Sequence, residues 1–166
     1  PLYDRSFLYG AIGSRTVTAM GFRPDGKRLA VAYGNGTVRV WDSDGWHDSC
    51  AVRGMSKQRI TSVALRRELA LGDAAGTIQI QSNYDGSSQL LTGHTGAITQ
   101  LVWSPNGDFL ASASRDKTVR VWTWYGECVK EFVGVDNPDA LLAWSEDSQK
   151  LACSQGSAVL IGWATP

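Results

Sequence analysis

The feature that most limits how this chain can fold is an internal repeat of about 41 residues. Its fullest copy runs through Gly93-His94, Leu101-Val102-Trp103-Ser104-Pro105-Asn106-Gly107, Leu110-Ala111-Ser112-Ala113-Ser114-Arg115-Asp116 and Thr118-Val119-Arg120-Val121-Trp122. Met20-Gly21-Phe22-Arg23-Pro24-Asp25-Gly26 and Thr37-Val38-Arg39-Val40-Trp41 stand 81 residues earlier in the same register. Ala143-Trp144-Ser145 and Trp163 continue it 41 residues later. A fixed period of this size means one supersecondary unit stacked on copies of itself.

The local chemistry of the unit is that of antiparallel strands. Thr-Val-Arg-Val-Trp and Thr77-Ile78-Gln79-Ile80 place β-branched residues on alternate positions, as half-buried strands do. Pro24-Asp25-Gly26 and Pro105-Asn106-Gly107 are turn sequences between apolar runs. Asn35-Gly36 and Asp116-Lys117 fall where tight hairpins are needed. No window sustains helical periodicity.

The repeat resembles that of the WD-repeat (tryptophan–aspartate) β-propellers, and the resemblance covers nearly the whole chain. It implies an all-β fold of about four four-stranded antiparallel blades, either a partial propeller or half of a strand-exchanged ring. The approximate repeats are 14–54, 55–93, 94–134 and 135–166. Residues 1–13 are expected to supply an orphan outer strand, because Tyr3-Asp4 precedes Tyr84-Asp85 by 81 residues and aligns Ser6 to Ile12 with an outer strand. The last blade, ending at Trp163, would lack that strand. Three readings stay open: a piece of a longer propeller, two copies completing one another's last blade, or an open four-bladed monomer with unpaired edges.

Composition removes several function classes. The chain has 166 residues and zero formal net charge, with no polybasic run, which speaks against nucleic-acid or anionic-membrane binding. No apolar stretch approaches membrane-span length and no secretory signal is visible. Cys50, Cys128 and Cys153 read as small buried strand residues in a reducing compartment. Together these point to the cytoplasm and leave the nucleus open. No cofactor and no metal are expected, since His47 and His94 are the only histidines.

His94, Ser112 and Asp116 invite a comparison with a hydrolase triad. No strained nucleophile turn surrounds Ser112. Order and spacing match instead the structural set of the WD-repeat family, in which Asp accepts from His, His contacts Ser, and Ser reaches the indole N–H, here of Trp122. The other blades depart from the set. The first has Gly13, Val31, Asn35 and Trp41 in these places, the second Leu71, Ala75 and Gln81, the fourth Cys153, Ser157 and Trp163. Asp73 and Glu68, near a shortened turn, read as solvated. First-strand residues Val63, Leu101 and Val102 read as pointing inward toward a channel, apolar and so non-catalytic.

Function is therefore expected on the surface. The resemblance places Arg15, Arg53, Gln58, Arg59 and Arg115 on one propeller face, suited to an acidic or phosphorylated peptide. Tyr3, Trp46, Tyr84, Trp124 and Tyr125 fall on the opposite face, where aromatics suit partner contacts. The expected function is a non-enzymatic protein–protein interaction scaffold. The alternative is a regulatory array within a larger signalling protein, such as the C-terminal propeller of a signalling ATPase. Partners would be proteins or peptides, a second copy, or remaining blades.

Overall fold

The computed structural model describes residues 16–44, 47–53, 58–82, 86–137, 139–155 and 157–163. Among them are strands and no helix, arranged in four antiparallel sheets. The first holds β1 (Val17–Phe22), β2 (Arg28–Tyr33), β3 (Thr37–Asp42) and β4 (His47–Arg53). The second holds β5 (Ile60–Leu65), β6 (Leu69–Asp73), β7 (Ile78–Gln81) and β8 (Ser88–Leu91). The third holds β9 (Ile98–Trp103), β10 (Phe109–Ser114), β11 (Thr118–Thr123) and β12 (Cys128–Val133). The fourth holds β13 (Leu142–Trp144), β14 (Lys150–Gln155) and β15 (Ala158–Trp163). Strands pair in chain order within every sheet, so each sheet is a meander of one repeat. The proposed outer strand from Ser6 to Ile12 lies outside the described residues.

Tight turns make this possible. The hairpin between second and third strands needs a left-handed residue, and Gly36, Gly76 and Lys117 fill that place with φ of 79°, 90° and 68°. Between first and second strands, Asp25, Asn106 and Asp147 each accept the backbone N–H two residues on, at 2.9–3.1 Å.

Every sheet has two unlike faces. The face toward the preceding sheet, here the leading face, carries large side chains; the trailing face carries small or β-branched ones. Val63, Leu65, Leu69 and Leu71 pack on Ala30, Ala32, Val38 and Val40. Leu101, Trp103, Leu110 and Trp122 pack on Ala64, Ala70, Ile78 and Ile80. Leu142, Leu151 and Cys153 pack on Ala111, Ala113, Val119 and Val121. Burial of these side chains between sheets is the main stabilising term, about 1.5–3 kcal/mol for each large residue fully removed from water. Polar bonds set the spacing. Trp103 Nε1 donates to the Ala64 carbonyl at 3.3 Å, and Trp144 Nε1 to that of Val102 at 3.1 Å. The N–H of Leu101 meets Ser62 Oγ, and that of Leu142 meets Gln100 Oε1.

Three sequence expectations change here. Val63 and Leu101 are buried against the preceding sheet, and Val102 packs toward the following one, so none of the three is a channel-lining residue. Cys128 is exposed on the outer strand β12, whereas Cys153 is buried as expected; the Cys50 side chain is outside the described residues. In the fourth sheet Leu151 pairs with Gly162 and Lys150 with Trp163, whereas in the third Leu110 pairs with Trp122. Gly162 therefore holds the tryptophan place. The cause is a shorter hairpin: Gln155 pairs with Ala158 across two residues, and a one-residue slip exchanges the faces of every position beyond it. A Cβ on Gly162 would lie 2.6 Å from the Phe132 ring, so the neighbouring sheet closes over this position.

Candidate functional site

The polar set of the third sheet is brought together across 28 residues of chain by the pairing of β10 with β11 and by the loop entering β9. His94 Nδ1 lies 2.8 Å from Asp116 Oδ2, and His94 Nε2 lies 2.8 Å from Ser112 Oγ. Trp122 Nε1 donates to the same Ser112 Oγ at 2.8 Å. Asp116 also accepts from the Thr95 N–H at 2.9 Å and from the Thr118 hydroxyl at 2.7 Å. Burial pushes the Asp116 carboxyl up, but the Thr118, Thr95 and His94 bonds outweigh it and hold it at about 2. Burial pushes the His94 imidazole below its ordinary value against the pull of Asp116. A neutral ring facing an ionised carboxylate carries its proton on Nδ1, so Nε2 accepts from Ser112, which accepts from Trp122. Ser112 is 0 % exposed and its oxygen is engaged on both sides. A substrate carbonyl has no approach to it, so the set does not work as a hydrolytic triad.

The second sheet solves the same problem with another residue. Ala75 stands in the Asp116 place, but Asp73, two residues earlier, is 2 % exposed and accepts from the N–H groups of Ala75 and Thr77, both at 2.9 Å. The expectation that Asp73 is solvated is thus corrected: its side chain is buried and its carboxylate closes a turn whose tip, Ala74 and Ala75, is exposed. Glu68 is half-buried. In the first sheet Asn35 Oδ1 accepts the Thr37 N–H at 3.2 Å.

On the face displaying the loops into the first strands, Gln58, Arg59 and Arg115 are exposed. Arg15 and the side chain of Arg53 lie outside the described residues. Arg59 and Arg115 line one cavity of about 370 Å³ with Thr18, Thr61, Thr99 and Asp139. Asp139 Oδ1 is 3.5 Å from the Arg115 guanidinium, and both side chains are mostly solvent-exposed. Three threonines at one repeat position, four residues before Phe22, Leu65 and Trp103, put hydroxyls into this cavity wall. Thr61 donates to the Ile98 carbonyl at 2.6 Å. The Thr18 and Thr99 hydroxyl oxygens are buried with no hydrogen-bond partner among the described residues. Sequence reasoning passed over these threonines, although their spacing was visible, because threonine is ordinary in strands.

Trp124 and Tyr125 occupy the turn between β11 and β12, the opposite end of β11 from Arg115. Both are exposed, with rings 5.5 Å apart at 90°. They line a cleft of about 390 Å³ with Glu68, Ile80, Ser82 and Gln89, and Gln89 Nε2 donates to the Tyr125 carbonyl at 2.6 Å. Tyr3, Trp46 and Tyr84 lie outside the described residues. Among the described residues no cluster of His, Cys, Asp or Glu is arranged to hold a metal ion, and no helix is long and apolar enough to cross a membrane.

The geometry defines a β-propeller segment, and comparison with known proteins agrees. The family model "WD domain, G-beta repeat" matches residues 6–42 and 86–123. The protein transport protein SEC13 of Pyricularia oryzae is 30% identical over 151 residues, which is 80% of this chain and 50% of that protein. Cell division cycle 20.1, cofactor of APC complex, of Arabidopsis thaliana is 28% identical over 109 residues, 64% of this chain and 24% of that protein. A chain in a crystal structure of the mitotic checkpoint complex superposes with a TM-score of 0.80 at 24% identity, over 92% of this chain and 49% of that one. The chain belongs to the WD-repeat family. It spans half or less of the length of these relatives.

Proposed function

We propose that this chain is a non-catalytic interaction platform that helps assemble an intracellular protein complex, and that its Arg59–Arg115 face receives an acidic segment of a partner. The observation that carries the reading is the cavity shared by two exposed guanidiniums and two buried hydroxyls that have no partner among the described residues. Guanidinium groups bind carboxylate or phosphate through paired charge-assisted bonds, and a hydroxyl beside them adds a donor. Relatives named for a cell-division cofactor and for protein transport support the scaffold class by analogy of fold.

The test is fluorescence anisotropy with labelled peptides rich in Asp and Glu, with and without phosphoserine. Binding should weaken at least about tenfold in Arg59→Glu and Arg115→Glu, the size of one lost charge-assisted contact, and fall with added salt. Equal binding by the parent and both variants would reject this face.

A further inference from the structure

We propose that Asn35 is a self-modifying site: in the folded chain it loses its side-chain amide as ammonia, with Gly36 as the attacking neighbour, and leaves a carboxylate on the face of Arg59. The chain contains two Asn-Gly pairs, Asn35-Gly36 and Asn106-Gly107. Glycine matters in these pairs because no side chain shields its backbone nitrogen from the asparagine before it. In the reaction Gly36 N gives up its proton and bonds to Asn35 Cγ. The Cγ–Nδ2 bond breaks, and the nitrogen leaves as ammonia with that proton. Water then opens the five-membered imide at either of its carbonyls, giving aspartate or isoaspartate. Water is the only co-reactant.

The two pairs sit in the same kind of turn but are gripped differently. Gly36 N–H donates to the Tyr33 carbonyl and Gly107 N–H to the Ser104 carbonyl, both at 2.9 Å. The glycine φ angles are 79° and 85°. Both asparagines are exposed, so water reaches each. Asn106 Nδ2 donates to the Asp108 carboxylate at 2.8 Å, and its Oδ1 accepts from the Ser104 hydroxyl at 2.6 Å and from the Asp108 N–H at 3.1 Å. Asn35 Oδ1 accepts only the Thr37 N–H, at 3.2 Å, and its Nδ2 has no acceptor among the described residues. To turn Cγ toward the glycine nitrogen, Asn106 must give up three side-chain bonds. Asn35 gives up one, the longest of the four. Each bond lost on the way raises the barrier, so Asn35 is the reactive member.

The third sheet shows what an acid does at this place. Asp116 is the counterpart of Asn35, and its Oδ1 accepts the Thr118 N–H at 2.9 Å and the Thr118 hydroxyl at 2.7 Å. Thr37 stands where Thr118 does, so the aspartate product keeps the hairpin and gains a hydroxyl donor. Isoaspartate instead adds a methylene to the main chain and forfeits that geometry. A Cβ on Gly36 would lie 3.8 Å from the Gln58 carbonyl oxygen, so the turn adjoins the segment that carries Arg59. A new negative charge there repels an acidic partner. This consequence rests on the reading of the Arg59–Arg115 face given above.

Peptide mapping by mass spectrometry, after incubation in mildly alkaline buffer, reads both pairs in one sample. Deamidation is expected to run several-fold faster at Asn35 than at Asn106 in the folded chain. The difference should vanish in urea, where neither turn exists. Asp108→Ala, which removes the acceptor of Asn106 Nδ2, should speed the reaction at Asn106 and leave Asn35 unchanged. An equal or faster reaction at Asn106 in the folded chain would overturn the proposal, and so would a ratio that urea does not alter. For the charge, Asn35→Asp should bind the acidic peptides several-fold more weakly than the parent, and equal binding would overturn the effect on this face. Absence of binding by the parent would reject the reading of the arginine face, while the peptide map would still decide the fate of Asn35.

Discussion

The carboxylate of Asp73 accepts the backbone N–H of Thr77 at 2.9 Å, the bond that Asp116 makes to Thr118 one sheet later. Two acidic residues from different repeat positions thus close equivalent hairpins. Asp73 reaches forward from the end of its strand, whereas Asp116 sits within the turn.

Asp73→Ala should destabilise the fold by about 1–3 kcal/mol, because it takes the shared acceptor from two partly buried N–H groups. Asp73→Asn, which keeps an acceptor oxygen, should recover most of that. Asn35→Ala, at an exposed turn, should cost about 1 kcal/mol or less. Urea midpoints of the three variants decide the order, and an Asp73→Ala midpoint equal to the parent's would refute the assignment.

Acid should weaken the third sheet in two stages. The folded pKa of His94 lies below 6.5, so the unfolded chain takes up a proton that the folded one resists. Stability is full above about pH 6.5 and falls as the pH drops through the lowered value. Asp116 and Glu131 favour protonation of the ring, whereas Arg120 opposes it. Asp116 follows, with stability lost between pH 3.8 and about 2. Denaturation midpoints from pH 7.5 downward should show the first decline in the parent and not in His94→Gln.

Removing one indole donor should loosen one boundary between sheets. Trp144→Phe leaves the Val102 carbonyl without its 3.1 Å partner and should cost about 0.5–1.5 kcal/mol. The analogous Trp103→Phe should cost at least as much, since Trp103 is the more buried. Chemical denaturation followed by far-ultraviolet circular dichroism compares them.

Gly76 tolerates no side chain. Its φ is +90°, and a Cβ would sit 2.7 Å from the His94 carbonyl oxygen and 2.8 Å from that of Gly96. Gly76→Ala should cost at least about 2 kcal/mol, from left-handed strain plus displacement of backbone. A melting temperature within about a degree of the parent's would contradict this.

The repeat period, the antiparallel meanders and the hairpin turns were all readable in the chain, because each is signalled by local alternation and by Gly, Pro, Asn and Asp at fixed offsets. What escaped has physical causes. Asp73 occupies the place of Ser114, so a search for an acid at the Asp116 place finds Ala75 and stops. Trp163 carries the expected side chain type, but the hairpin before it is one residue shorter, and register is set by the turn rather than by residue identity. Val63, Leu101 and Val102 look alike in sequence, yet strand alternation sends Val102 to the opposite sheet face from Leu101. Cys128 lies on an outer strand, where position within the sheet and not residue preference decides exposure.

The unlike faces of each sheet give the array a direction. Turned end for end, a sheet would press large side chains against large ones and leave its alanines facing alanines. Duplicating one repeat in the same orientation would instead present a ready-made neighbour on both sides. An array built this way can lengthen by whole units without redesigning any contact, and it cannot reverse.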